Sequence, residues 1–304
     1  MIYDVIIVGA GPAGLTASIY GKRAGLNTLV LDASPIAGGQ ILSTYEVDNY
    51  PGLPGISGAD LGARLKEHAL GLGVEFATGR VKEIIDKGAT KDLITRKGNF
   101  ETKALIIATG ASNKKLGCPG EEELSGMGVS YCATCDGAFF NGKDVAVVGG
   151  GDVALEDALY LARTCSKVYL IHRRDEFRGA NILVDEVKAN SKIEILYFNE
   201  VKSINGTDKV ESITTFDNRT NAEKTLPVDG IFLAVGISPN TGAIAGLPKQ
   251  NESGYIIADE TCETSVPGIF AAGDVRTKQL RQITTACADG ANAITSVERF
   301  LRNI

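Results

Sequence analysis

Histidine is scarce in this sequence: His68 and His172 are the only two. Six cysteines occur, at 118, 132, 135, 165, 262 and 287, and a single pair is closely spaced. A structural zinc needs four ligands, commonly drawn from two such pairs, so no metal site is expected. Nor do cysteines so arranged make the disulfide framework of a small secreted domain. No apolar run approaches the ~20 residues that a membrane helix needs. Basic charge is not in excess, since 31 lysines and arginines stand against 37 acids for a net charge of −6. That balance offers no basic surface to nucleic acid. Asp4 lies where a secretory signal would be basic, which predicts a cytoplasmic protein. Short repeats and low-complexity tracts are missing as well.

Glycine, by contrast, occurs 36 times in 304 residues, above the average share of ~7%. Many of these glycines follow apolar runs, as phosphate-binding turns require. The length suits about two domains of ~150 residues.

The stretch "YDVIIVGAGPAGLTASIYGKRAG" opens the chain. Val5 to Val8 reads as a buried strand, Gly9, Gly11 and Gly14 give G-x-G-x-x-G, and a helical pattern runs from Ala13 to Ala24. The strand "TLVLD" then ends in Asp32. Strand, tight turn, helix and acid-terminated strand together form the dinucleotide fingerprint in its required context. Gly9 permits the turn, Gly11 lets the backbone approach a pyrophosphate, and Gly14 lets helix and strand pack closely. A second unit follows 140 residues later. Its strand, Val145 to Val148, leads into Gly149, Gly151 and Ala154, a helix, and the strand "KVYLIHRR". That strand ends in His172, Arg173 and Arg174, with Arg178 nearby, where the first ended in an acid. An acid there takes a ribose 2′-hydroxyl, whereas arginines take a 2′-phosphate. FAD in the first site and NADPH in the second would make a hydride relay.

The expected class is α/β, with two Rossmann-like, three-layer dinucleotide domains. "IIATGA" and "DGIFLAVG" close the two halves with the same strand-then-glycine pattern. The polar segments "SNKKLGCPGEEE" and "ISPNTGAIAGLP" read as linkers. These features predict an insertion: residues 1–112 with 240–304 form the FAD domain, and residues 113–239 form an NADPH domain within it. The last helix is expected to present Ala291, Ile294, Val297 and Leu301 on one face. His68 is expected at the surface.

The close cysteine pair lies in "YCATCDG", in the middle of the chain. A structural disulfide across a two-residue gap removes little chain entropy, and a cytoplasmic chain has little use for one. Redox chemistry is the reading that remains. The other four cysteines, Cys118, Cys165, Cys262 and Cys287, are expected as small buried hydrophobes.

With "CATCDG", the two fingerprints, "GGQI", "EVDNYPG", "HRR" and "GDV…RQITTA" in this order, the whole chain resembles the low-molecular-weight bacterial thioredoxin reductases. The resemblance implies a homodimer with FAD and NADPH, acting on a thioredoxin-like protein in cell redox homeostasis. It implies that Cys135 takes electrons from the flavin, Cys132 attacks the partner disulfide, and Asp136 protonates a departing thiolate. It implies FAD contacts at Gly9, Gly11, Pro12, Ala13, Gly14, Asp32, Gly39, Gln40, Asn49 and Val81. Further FAD contacts are implied at Thr109, Gly110, Gly273, Asp274, Arg281, Gln282 and Ile283. For NADPH it implies Gly149, Gly151, Asp152, Val153, Ala154, His172, Arg173, Arg174, Arg178, Val235 and Gly236. Three places depart from the commoner pattern: Arg276, Thr277, Lys278 and Leu280 after "GDV", Cys287 and Asp289 near the flavin, and Val153 in the second turn. Two other readings keep the fold: a ferredoxin-dependent flavin reductase without a working NADPH site, and a nucleotide-binding redox sensor without turnover.

Overall fold

The computed structural model describes residues 1–44, 46–244 and 246–303. Ala245, within the second segment read as a linker, lies outside the described residues. The chain forms two compact units, Met1–Ser112 with Ser238–Ile304, and Asn113–Ile237. The chain passes between them through the short strands Ala111–Asn113 and Ile237–Pro239, which pair with each other.

The first unit is built on a seven-stranded sheet. Ile2–Val8 lies at its centre, parallel to Thr28–Asp32 on one side and Gly98–Ile107 on the other. Val5 to Ile7 are fully buried, which is why an unbroken apolar run rather than an alternating one codes this strand. Gly98–Ile107 serves two neighbours in turn. Its first half pairs antiparallel with Lys91–Thr95, and its last residues pair parallel with Ile269–Ala271. The returning chain is thereby sewn into the same sheet.

The helices Pro12–Arg23 and Ile283–Leu301 pack closely on each other. A Cβ at Gly290 would lie 2.3 Å from the Ala13 carbonyl oxygen, so only glycine permits this approach. The buried stripe of the last helix accordingly runs through Ala286, Asp289, Gly290, Ala293, Ile294 and Val297. Ala291 and Leu301, expected on that face, are only half-buried. Small residues set the closest approach to the neighbouring backbone, while Ile294 and Val297 are buried as expected.

The second unit holds a five-stranded parallel sheet, in the order Ile193–Tyr197, Lys167–His172, Asp144–Gly149, Gly230–Ala234 and Val129–Ser130. Asp152–Ala162 packs on it through Ala154, Leu155, Ala158 and Leu161, all fully buried. A three-stranded antiparallel sheet, Asn199–Asn205, Ser212–Asp217 and Ala222–Pro227, completes the unit. Among the described residues no helix is long and apolar enough to cross a membrane. Nor does any cluster of three metal-ligating side chains occur among them.

Candidate active site

In the first unit the turn after the opening strand is shaped by sterics. Gly9 has φ +113°, and a Cβ there would lie 2.3 Å from the Ala108 carbonyl oxygen. A Cβ at Gly14 would lie 1.9 Å from the Gly9 carbonyl oxygen, so helix and turn touch backbone to backbone. Gly11, by contrast, has nothing nearer than the Gly38–Gly39 backbone at about 3.9 Å, which leaves room on its outer side. Pro12 begins the helix, whose first turn holds no acid and no side-chain cap, so its amides remain available to an anion. Asp32 is fixed above this turn, because its carboxylate accepts the Ala10 and Ser34 N–H groups at 2.5 and 2.7 Å. Gly39 and Gln40 start a single 3₁₀ turn whose backbone lies against Gly11.

The same unit brings the "GDV" turn to the start of that helix. Gly273 has φ +79°, and a Cβ there would press on Ala13 at 2.9 Å. Asp274 follows with Oδ1 buried and unpartnered, and burial pushes its carboxyl pKa up. Among the described residues Arg281 carries the second buried polar atom without a partner, Nε, with its guanidinium over the Tyr255 ring at 4.2 Å. Asn49 donates to Gln282 at 3.0 Å, and Gln282 caps the last helix together with Thr285. Ile283 opens that helix and packs on Ile41, Val47 and Leu61. An orphaned acceptor and an orphaned donor at a turn with free amides fit a ligand rich in hydroxyls and phosphates, as a flavin dinucleotide is. Thr109 and Gly110 are clamped by a residue that motif reading missed. Asn240 donates to the Thr109 carbonyl at 2.9 Å and accepts the Ser112 hydroxyl, while its own carbonyl accepts the Thr109 hydroxyl. Val81 is buried at the start of the strand Val81–Asp86.

The departures after "GDV" and in the last helix are one structure. Asp289 accepts Arg276 Nε at 2.8 Å, Arg276 Nη2 at 2.6 Å, Lys278 Nζ at 2.9 Å and the Gly273 N–H at 2.9 Å. The two cations hold its carboxyl below the usual range against the opposing effect of burial. Arg276 and Lys278 therefore brace the Gly273–Val275 turn from within. Leu280 is exposed. Cys262 is buried as expected, its thiol pushed up to about 12 by burial, and Cys165 is buried too. Cys118 and Cys287 depart from the expectation and are only half-buried. Each borders a polar group, Glu121 and Tyr50 respectively. His68 is exposed.

In the second unit the corresponding turn has alanine where the first has Gly14. A Cβ at Gly149 would lie 2.6 Å from the Ala154 Cβ and 2.5 Å from the Ala234 carbonyl oxygen. His172 is buried against this turn, with its ring 2.2 Å from where a Gly150 Cβ would stand. Its Nε2 lies 2.9 Å from the Glu176 carbonyl oxygen, and burial lowers its pKa, so it packs as a neutral ring. Arg173, Arg174 and Arg178 are exposed, and the Arg178 N–H donates to the Gly150 carbonyl at 2.6 Å. Asp152 accepts the Ala180 N–H at 2.7 Å and so ties the arginine loop to the helix start. Val153 and the Gly151 backbone face outward. Val235 and Gly236 follow the end of the neighbouring strand Gly230–Ala234, with the Lys114 side chain near Gly236.

Cys132 and Cys135 are joined by a disulfide, Cα to Cα 5.3 Å, at the start of the short helix Ala133–Asp136. Ala133 anchors that helix in the core beside Phe140, Leu155 and Leu161, while both cysteines remain half-buried. Burial pushes the Asp136 carboxyl pKa up, and the Ser130 hydroxyl, donating at 2.6 Å, opposes it. Tyr131 donates to Glu121 at 2.8 Å. Glu121 is 1% exposed and also accepts the Leu116 and Gly117 N–H groups. The segment read as a polar linker is thus pinned under the redox motif by the first of its three glutamates. Ser130 and Glu121 carry no sequence signal of their own.

The family model for pyridine nucleotide-disulphide oxidoreductases matches residues 3–290. The chain is 46% identical over 304 residues to a thioredoxin reductase of Listeria innocua, covering all of this chain and 95% of the relative. It is equally 46% identical to a thioredoxin reductase of Bacillus subtilis, with 100% and 96% covered. The crystal structure of thioredoxin reductase from Streptococcus pyogenes superposes with a TM-score of 0.96 at 43% identity, covering 100% of this chain and 99% of that one. With a closed C-A-T-C disulfide between two dinucleotide turns, the chain belongs to the pyridine nucleotide-disulphide oxidoreductases. Within them it stands with the low-molecular-weight bacterial thioredoxin reductases, oxidoreductases acting on a sulfur group with a flavin and a pyridine nucleotide.

Proposed function

We propose that this chain takes electrons from NADPH through FAD to the Cys132–Cys135 disulfide, and from the resulting dithiol to the disulfide of thioredoxin or a thioredoxin-like protein. The observation that carries the reading is the closed Cys132–Cys135 bond beside the half-buried carboxyl of Asp136. FAD, when bound, supplies the two-electron exchange between a nicotinamide and a disulfide.

The chain's own residues do the rest. The Gly9–Gly14 turn and the helix amides hold the pyrophosphate, and Asp32 holds the ribose. Asp274 and Arg281, with their unpartnered atoms, Gln282 and Asn49 fix the remainder of the flavin nucleotide. Arg173, Arg174 and Arg178 take the 2′-phosphate that distinguishes NADPH from NADH, which favours NADPH over ferredoxin as donor. Cys135 receives the electrons. Cys132, as a thiolate, attacks the partner disulfide, because the thiolate is the nucleophile in such exchange. Asp136 supplies a proton to the departing sulfur, a role that a carboxyl of raised pKa suits. On the family resemblance we read the working form as a cytoplasmic homodimer.

The test is NADPH-driven reduction of a panel of thioredoxins by the FAD-loaded protein, followed at the flavin and at the product thiols. Anaerobic NADPH is expected to bleach the flavin, and at least one thioredoxin is expected to restore it. A flavin that NADPH leaves oxidised would refute the donor. Bleaching that no thioredoxin reverses would refute the acceptor.

A further inference from the structure

Ser130 ends the short strand Val129–Ser130 and is buried, at 5% exposure. Its hydroxyl donates to Asp136 Oδ2 at 2.6 Å. Its oxygen accepts the Cys132 N–H at 3.1 Å, and the Cys132 carbonyl oxygen lies 3.4 Å away. A hydroxyl has one proton and two lone pairs. With Asp136 ionised, Ser130 gives its proton to the carboxylate and takes the Cys132 N–H. With Asp136 protonated, the carboxyl O–H turns onto Ser130, which then accepts both hydrogens and directs its own to the Cys132 carbonyl. No member of the set is orphaned in either state.

A Cβ at Gly137, the next residue, would lie 3.0 Å from Tyr160 and Leu161 of the helix behind, which also carries Glu156 and Asp157. Burial raises the Asp136 carboxyl pKa, and the Ser130 hydroxyl lowers it. Cys132 and Cys135 are held in their disulfide.

We propose that Ser130 is a positioning residue for proton delivery, holding the Asp136 carboxyl against the Cys132 backbone in both of its protonation states. The proposal rests on the reading of Asp136 as general acid. In the step concerned, the Cys132 thiolate attacks one sulfur of the partner disulfide. That bond breaks, and the leaving sulfur takes the Asp136 proton as it receives the electron pair. The Cys135 thiolate then attacks the Cys132 sulfur, which restores the Cys132–Cys135 bond and releases the second sulfur. The cysteine pair loses two electrons, the partner gains two, and the carboxylate, its charge held by Ser130, regains its proton from solvent.

Stopped-flow half-reactions of Ser130→Ala and Ser130→Thr in the FAD-loaded protein test this. Ser130→Ala should leave NADPH-driven bleaching unchanged and slow re-oxidation by thioredoxin about tenfold. It should also move the alkaline limb of re-oxidation up by about one pH unit, because the ionised carboxyl loses its donor. Ser130→Thr should restore both. An unshifted limb in Ser130→Ala, or a threonine variant that behaves like the alanine one, overturns the proposal. Infrared pH-difference spectra of the unaltered protein, assigned with Asp136→Asn, give a second check. A carboxyl band at a hydrogen-bonded frequency is expected, and a free-carboxyl frequency overturns the proposal. Asp136→Asn separates the two readings. If it re-oxidises at the unaltered rate, the general-acid reading itself fails. If it is slow while Ser130→Ala shifts nothing, only the role of Ser130 fails.

Discussion

Replacing Asp289 by asparagine should cost this protein both stability and flavin. Asp289 is 4% exposed and holds Arg276, Lys278 and the Gly273 N–H through four hydrogen bonds. Asparagine keeps the shape, but its amide nitrogen would face a guanidinium or an ammonium, and two buried cations would lose their counter-charge. Removing one partner of a buried pair costs about 3–5 kcal/mol. Arg276 keeps its bonds to the Ala258 and Thr277 carbonyls, which places the loss toward the lower end of that range. The same change loosens Arg276 and Lys278 around Gly273, and with them the turn that sets Asp274. Urea denaturation of the flavin-free protein and a flavin-binding titration separate the two effects. The pH dependence has a definite sign. The folded-state pKa of Asp289 is depressed, so its contribution is fully present above the unfolded carboxyl value near ~4 and is lost as pH falls through the lower folded value. The difference between variant and parent should therefore shrink in acid. A loss below about 1 kcal/mol at neutral pH, the size of an ordinary surface pair, would refute the reasoning.

Two further outcomes follow from the second unit. Arg174→Gln should raise the Michaelis constant for NADPH about tenfold, since a charge-assisted bond is worth roughly 1.5–3 kcal/mol, and should leave that for NADH nearly unchanged. Steady-state kinetics with both nucleotides checks this, and equal use of NADH and NADPH by the parent would defeat it. Asp157, on the helix after the second turn, has its carboxyl pushed up to about 7 by burial and by Glu156. A raised carboxyl opposes folding as pH rises from the unfolded value toward the folded one, so Asp157→Asn should stabilise the protein by roughly 4 kcal/mol at pH 8 and by almost nothing at pH 4. Denaturation midpoints at the two pH values would show it.

The α/β class was legible because each fingerprint combines a fully apolar strand with glycines at sterically demanding positions, and local spacing carries both signals. Gly9 and Gly14 meet backbone atoms where the motif requires it. The bracing of the Gly273–Val275 turn was not legible as such. Arg276, Lys278 and Asp289 stood out as separate departures, and only the fold, by bringing the turn onto the last helix, shows them as one compensated set. Glu121 reads in the sequence as part of a polar linker, because nothing local distinguishes the one glutamate that receives three donors from its two neighbours. The last helix misled in the opposite way. Its contact face depends on what glycine and alanine leave out, and a count of large apolar residues does not register that.

The most direct test of the redox account is a pair of single variants, Cys132→Ser and Cys135→Ser, studied as FAD-loaded proteins. Both should bind flavin and be bleached by NADPH, and both should fail to reduce thioredoxin. A long-wavelength charge-transfer band should appear in Cys132→Ser alone, from the Cys135 thiolate left beside the flavin. The band in Cys135→Ser instead would reverse the roles of the two sulfurs, and thioredoxin turnover surviving in both variants would contradict the account.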